Sequence, residues 1–191
     1  MMMAVAYGRH YADRYRKLAE LIPNDVSVLD LCCGPGILYS RYLREKSVVY
    51  LGIDFNERFV RRVIDAGALG QVRDLRSDEP LPQADYVLMQ ASLYHFLPDP
   101  LTIFERMLKA AKKAVIISEP IRNLAASRLR ILRYLGAALS NPGSGSQPNR
   151  FDEKSLDEFV RRAFSGSYES FLLTGGREKV YRLSVERQLQ D

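Results

Sequence analysis

The sequence of 191 residues is 47% hydrophobic and 27% charged, which fits one globular unit with a sizeable core and excludes a disordered chain. No apolar run approaches the ~20 residues that cross a bilayer, and the opening MMMAVAYGRHYADRYRK reaches Arg9, Arg14 and Arg16 too early for a signal peptide, so a cytoplasmic setting is expected. The net charge of +5, from 28 basic and 23 acidic residues scattered along the chain, favours acidic partners without specifying nucleic acid.

In chain order, Tyr11, Tyr15, Leu18, Ala19 and Ile22 recur at helical spacing until Pro23 stops the pattern. Residues 26–31 form a short apolar strand that runs into Gly34 and Gly36, and residues 37–43 are again helical in pattern. A second buried strand, 48–53, ends at Asp54, and helical spacing returns at Phe59, Val60, Val63 and Ile64. A weaker strand at 69–73 ends at Asp74, and residues 86–89 make a fourth. Residues 101–112 read as a helix with a basic C-terminal end, as the macrodipole prefers. Residues 115–118 make a fifth strand, closed by Glu119-Pro120. This alternation predicts an α/β fold: a parallel sheet covered on both faces, wound into a three-layer Rossmann-like sandwich.

The C-terminal third breaks the rhythm. Residues 124–139 suggest one long basic amphipathic helix, and 141–149 are a loop by composition. Asp152 is positioned to cap a helix ending near Ala163. Two strands, 168–173 and 180–185, separated by Gly175-Gly176, predict an antiparallel hairpin at one edge of the sheet. Neither an internal repeat nor a second domain is visible, so 1–191 reads as one domain.

Cys32 and Cys33, the only cysteines, are adjacent, which suits neither a disulfide framework nor a zinc site; both read as small buried hydrophobes in a reducing compartment. They lie in the strand-to-helix turn Val28-Leu-Asp-Leu-Cys-Cys-Gly-Pro-Gly36. Glycines there let a ligand approach the backbone, and a helix N-terminus offers free N–H groups. The third glycine of G-x-G-x-x-G is missing, since Ile37, Leu38 and Tyr39 follow Gly36, and this disfavours a nicotinamide dinucleotide. Asp54, at the tip of the second strand, offers a carboxylate to a ribose diol, although a strand-end Asp also serves as a helix cap.

The run VLDLCCGPG, then YLGIDF, RDL and ADYVLMQASLYHF, in that order over residues 26–120, resembles the class I S-adenosylmethionine-dependent methyltransferases. The resemblance implies a seven-stranded sheet of order 3-2-1-4-5-7-6 with strand seven antiparallel, and S-adenosylmethionine as cofactor, leaving as S-adenosylhomocysteine. It implies that Asp30 serves the methionine end, that the backbone of Gly34 and Gly36 faces the cofactor, and that Asp54 holds the ribose hydroxyls with Phe55 beside the adenine. Asp74 then lies near the adenine amino group with Leu75 against the ring, and Gln90 and Ala91 lie at the floor of the methyl-transfer site. Cys32 stands where the family has its first glycine, a small side chain that fills the position without blocking it. Residues 1–23 correspond to a helical cover and 121–150 to a substrate lid.

Methyl transfer from a sulfonium is an in-line displacement, so the main task is holding the acceptor against the methyl carbon in a dry pocket. Where a base is needed, His95 in Ser92-Leu-Tyr-His-Phe96 is the candidate, against the alternative of a structural histidine. Tyr94 reads as a residue that either packs or acts in the chemistry, Tyr7, Tyr11 and Tyr15 as packing residues or pocket lining, and His10 as a surface residue. Gln90-Ala-Ser-Leu is not the Asn/Asp-Pro-Pro-Tyr motif of exocyclic-nitrogen methyltransferases, and no cysteine follows strand four or five. A small-molecule acceptor is therefore expected. Arg122, Arg128, Arg130, Arg133 and Arg150 keep an RNA methyltransferase as the alternative, beside a non-catalytic binding module.

Overall fold

A computed structural model describes residues 11–121, 150–173 and 175–185; the expected basic helix 124–139, the loop 141–149, Tyr7 and His10 lie outside the described residues. Seven strands form one sheet: β1 (Ser27–Leu31), β2 (Val49–Asp54), β3 (Leu69–Val72), β4 (Ala84–Gln90), β5 (Ala111–Pro120), β6 (Tyr168–Leu172) and β7 (Glu178–Ser184). Their order is β3-β2-β1-β4-β5-β7-β6. The neighbours from β3 to β5 run parallel, while β7 is antiparallel to both β5 and β6. This is the order the family resemblance implies.

Alternation along the central strands feeds two cores. One face buries Leu29, Leu31, Ile53, Val87, Met89, Val115, Ile117 and Leu183 under helices α3 (Leu101–Ala110) and α4 (Glu153–Ala163). On the other face Val28, Tyr50, Leu88, Ala114, Ile116 and Val180 pack with Tyr15 and Leu18 of helix α1 (Tyr11–Glu20) and with Val63 of helix α2 (Glu57–Asp65). Strands buried on both faces need near-continuous apolar runs, which β4 and β5 supply. Ile103, Phe104 and Met107 of α3 are fully enclosed, and burying such side chains contributes roughly 1.5–3 kcal/mol each.

Local chemistry sets the helix ends. Asn56 caps α2 by accepting the Arg58 N–H at 3.0 Å. Asp152 and Ser155 form a reciprocal capping box at the start of α4. The helical pattern at 37–43 becomes a π-helical turn over Tyr39–Leu43, with the Arg44 N–H donating to the Tyr39 carbonyl at 2.9 Å. The largest difference from the sequence reading is at 110–114. There α3 stops at Ala110 and β5 begins at Ala111, so Lys112 and Lys113 belong to the strand. The ladder with β4 outweighs helix propensity at this point, and Lys113 reaches Asp85 at 3.4 Å. Among the described residues no helix is long and apolar enough to cross a membrane.

Candidate functional site

The C-terminal ends of β1, β2, β3 and β4 come together around a cleft lined by Cys32, Asp54, Phe55, Arg73, Asp74, Leu75, Arg76, His95 and Phe96. A crevice at this edge is where open parallel sheets take their ligands, because the order of connections reverses there. Each strand end delivers one wall.

The glycine turn after β1 forms the first wall. Cys32 adopts a left-handed φ of +54°, Gly34 +55° and Gly36 +66°. The two glycines have different physical reasons. Nothing lies within 4 Å of a Cβ built on Gly34, so this residue supplies conformation, and its N–H donates to Asp54 Oδ2 at 2.9 Å. A Cβ on Gly36 would meet Val63 Cγ2 at 2.7 Å, so Gly36 lets the turn pack on α2. Both cysteines are free thiols whose ionisation burial pushes far up, consistent with small packing residues. Asp30 sits below the turn, 2% exposed, with Tyr50 Oη donating to its Oδ2 at 2.5 Å. Burial raises its carboxyl to about 7, the Tyr50 bond opposing and the Asp54 charge adding to the rise.

Asp54 ends β2 and is 6% exposed. Its Oδ1 accepts the Asn56 N–H at 2.9 Å while Oδ2 accepts from Gly34. Burial raises its carboxyl, opposed by these backbone donors. Two donors leave each oxygen a further lone pair, and the carboxylate is held between the two loops that bound the cleft. Phe55 beside it is 47% exposed, a large apolar ring left open to a ligand.

The third wall follows β3 and is pinned from behind. Arg106 of α3 donates to the Leu75 carbonyl at 2.7 Å and the Glu79 carbonyl at 2.6 Å. Arg73 donates to the Pro80 carbonyl at 3.1 Å and also to Glu79. Asp74 and Leu75 therefore lie on a loop whose backbone carbonyls are tied to two guanidinium groups.

The fourth wall follows β4. Ala91, at a φ of +49°, donates its N–H to the Ser118 carbonyl at 2.7 Å, and Ser92 Oγ donates to the Gln90 carbonyl at 2.8 Å. A 3₁₀ turn, Leu93–Phe96, then carries Tyr94 and His95, and its start is fixed by the Leu93 N–H donating to Glu119 Oε2 at 3.0 Å. Burial lifts the Glu119 carboxyl to about 8. The Arg150 guanidinium lies over the Tyr94 ring at 4.0 Å. Burial, then Arg150 and Arg76, hold His95 down to about 4, so its imidazole is neutral at physiological pH.

Of the expected site residues, Cys32, Asp54, Phe55, Asp74, Leu75 and His95 line the cleft. Asp30, Gly34, Gly36, Gln90 and Ala91 support or adjoin it without being among the nine that line it. Tyr11 and Tyr15 form an aromatic face, edge-on at 5.3 Å, with Tyr15 stacked on Tyr42 at 5.9 Å. The sequence reading missed Arg73, Arg76 and Phe96 in the lining, and Arg106 and Glu119 behind it. Glu119 had a signal, since a carboxylate just past the apolar run Val115–Ile117 needs a donor. Arg106, in an amphipathic helix, had none.

A family model described as a methyltransferase domain matches residues 4–163. Magnesium protoporphyrin IX methyltransferase from Synechocystis, crystallised with bound S-adenosylhomocysteine, superposes with a TM-score of 0.69 at 14% identity, covering 96% of this chain and 87% of that one. A TehB-like S-adenosylmethionine-dependent methyltransferase from Corynebacterium glutamicum gives 0.64 at 16% identity, covering 97% and 94%. An S-adenosylmethionine-dependent methyltransferase from Aquifex aeolicus gives 0.62 at 16%, covering 90% and 89%. At such identities the likeness is one of fold. No curated protein matches the chain significantly.

Proposed function

This chain belongs to the class I S-adenosylmethionine-dependent methyltransferases, and we propose that it transfers the methyl group of S-adenosylmethionine to a small-molecule acceptor. The observation that carries this reading is Asp54: a buried carboxylate at the tip of β2, oriented by the Gly34 and Asn56 N–H groups at 2.9 Å, with lone pairs to spare. A ribose diol is the group whose two donors such an acceptor pair suits.

In this reading Phe55 and Leu75 enclose the adenine, with Asp74 near its amino group. Asp30, Gly34 and Gly36 shape the turn that receives the methionine end, and Gln90 and Ala91 form the floor of the transfer site. S-adenosylmethionine, when bound, supplies an electrophilic methyl carbon on a sulfonium. The chain's part is to hold the acceptor in line with that carbon and keep water out. His95 has a neutral imidazole, the state that accepts a proton, and it lines the cleft. Its low proton affinity makes it a weak base, so positioning supplies most of the acceleration.

Calorimetric titration of the purified protein with S-adenosylhomocysteine, beside NAD under the same conditions, tests the reading. Micromolar binding of the first and none of the second is expected. Binding of NAD, or of neither, refutes it.

A further inference from the structure

Strand alternation places Gln90, Ser118 and Glu178 on the face of the sheet that also carries Leu88, Ile116 and Val180. Gln90 and Ser118 lie at the C-terminal ends of β4 and β5, and Glu178 opens the antiparallel β7 opposite Pro120, on the side covered by α1. Gln90 stands opposite Ser118 in the β4–β5 ladder, and Ser118 Oγ donates to Glu178 Oε1 at 2.5 Å. Arg14 of α1 completes the row, 3% exposed, with Nη2 on the same Glu178 oxygen at 2.8 Å. A row of polar side chains this deep between apolar layers needs all its hydrogen bonds made. Gln90 Nε2, a donor, and Glu178 Oε2, an acceptor, are among the side-chain atoms buried without partners.

A donor on β4 and an acceptor on β7, left unmade on either side of Ser118 of β5 at the rim of the transfer site, define the chemistry of what fills them. Gln90 needs a lone pair and Glu178 needs a hydrogen. An ammonium has hydrogens but no lone pair, and aliphatic amines are protonated at neutral pH. A carboxylate has lone pairs but no hydrogen to give Glu178 Oε2. Arg14 already neutralises Glu178, so no cation is called for. A hydroxyl meets both demands at once.

We propose that Gln90, Ser118 and Glu178 form the acceptor subsite, and that they hold the acceptor by a hydroxyl group. The acceptor oxygen takes a hydrogen bond from Gln90 Nε2 and gives its own to Glu178 Oε2. The assignment rests on the methyltransferase reading above and names the acceptor class, a neutral hydroxyl compound. Water has the same donor and acceptor pattern, so it is the molecule that an acceptor hydroxyl displaces here.

The test titrates phenol, with benzoate and benzylamine as matched probes, into protein saturated with S-adenosylhomocysteine. Phenol should bind and the other two should not. Gln90→Leu and Glu178→Gln should each weaken phenol by about tenfold, the loss of one hydrogen bond, and Glu178→Gln, which lies outside the cofactor site, should leave S-adenosylhomocysteine affinity unchanged. That unchanged affinity also certifies the fold of the Glu178→Gln variant, and a wild-type-like cooperative thermal melt certifies that of Gln90→Leu. Failure of phenol to bind, as expected if the row holds only a water, overturns the proposal. So does equal phenol binding by wild type and both variants, or a preference for benzoate or benzylamine. Failure of S-adenosylhomocysteine to bind the wild type overturns the methyltransferase reading instead.

Discussion

Replacing Asp54 by alanine should weaken S-adenosylhomocysteine binding by about 2 to 3 kcal/mol, roughly 30- to 150-fold. The magnitude follows from what the carboxylate already does. Each oxygen accepts one backbone N–H, from Asn56 and from Gly34, both at 2.9 Å. A ribose diol would add one bond to each oxygen, and a net bond to a charged acceptor contributes about 1.5–3 kcal/mol. The two additions share an anion already partly satisfied, so they sum to less than twice that range. Alanine also frees the Gly34 N–H, and a control must separate loop disturbance from the lost ribose contact. The 2′-deoxyribose analogue of S-adenosylhomocysteine supplies it. Calorimetry should find the analogue about tenfold weaker on wild type and no weaker than the parent on the variant. An analogue discrimination that survives in Asp54→Ala would refute this placement of the ribose, even if affinity fell.

Three further outcomes follow from the site. Asp30 is raised to about 7, so the folded chain holds a proton that the unfolded chain releases near pH 4. The stability from that proton is full below about pH 4 and is lost as pH rises through about 7. Asp30→Asn, which keeps an acceptor for Tyr50, should therefore gain in melting temperature over wild type at pH 8 and lose the gain at pH 4; parallel profiles would refute the buried neutral carboxyl. His95, held down to about 4, should give imidazole proton shifts that stay flat from pH 8 to 5 in NMR titration. Arg76→Gln should raise its midpoint, and an inflection near 6.5 in the wild type would contradict the cationic surroundings. Arg106→Met keeps the apolar stem but loses both carbonyl bonds behind Leu75, and should weaken S-adenosylhomocysteine about tenfold by calorimetry. Unchanged affinity would mean the loop holds its shape without α3.

What the sequence makes legible is what depends on near neighbours. The strand-turn-helix at 28–36 and the carboxylate at 54 are local patterns, and both meet at the cleft. The sheet order comes from the family resemblance, because periodicity reports that strands exist and not which ones pair. Interactions that span the chain left no local trace. Arg14 looks like one more basic residue on an amphipathic helix, yet it is buried against Glu178, 164 residues away in sequence. Arg106 likewise ties α3 to a loop some thirty residues upstream. The helix boundary at 110 is hidden from the sequence for a related reason. Lys112 and Lys113 carry helix-end charge in sequence, and only long-range pairing draws them into the strand, Ala111 and Ala114 with β4 on either side and the Lys113 carbonyl accepting the Val185 N–H at 2.8 Å.

That boundary limits how the gene can change in length. With Ala110 closing α3 and Ala111 opening β5, there is no connector to absorb an added residue. One inserted residue would turn α3 by about 100° against the sheet. Phe104 would swing out of the core and Arg106 away from the Leu75 carbonyl together. The hairpin tip at Gly175 and Gly176, both at positive φ, is a turn outside the residues that line the cleft. Insertions should survive selection at the hairpin tip and be eliminated at 110–111, a contrast that a scanning insertion library would record as a gap.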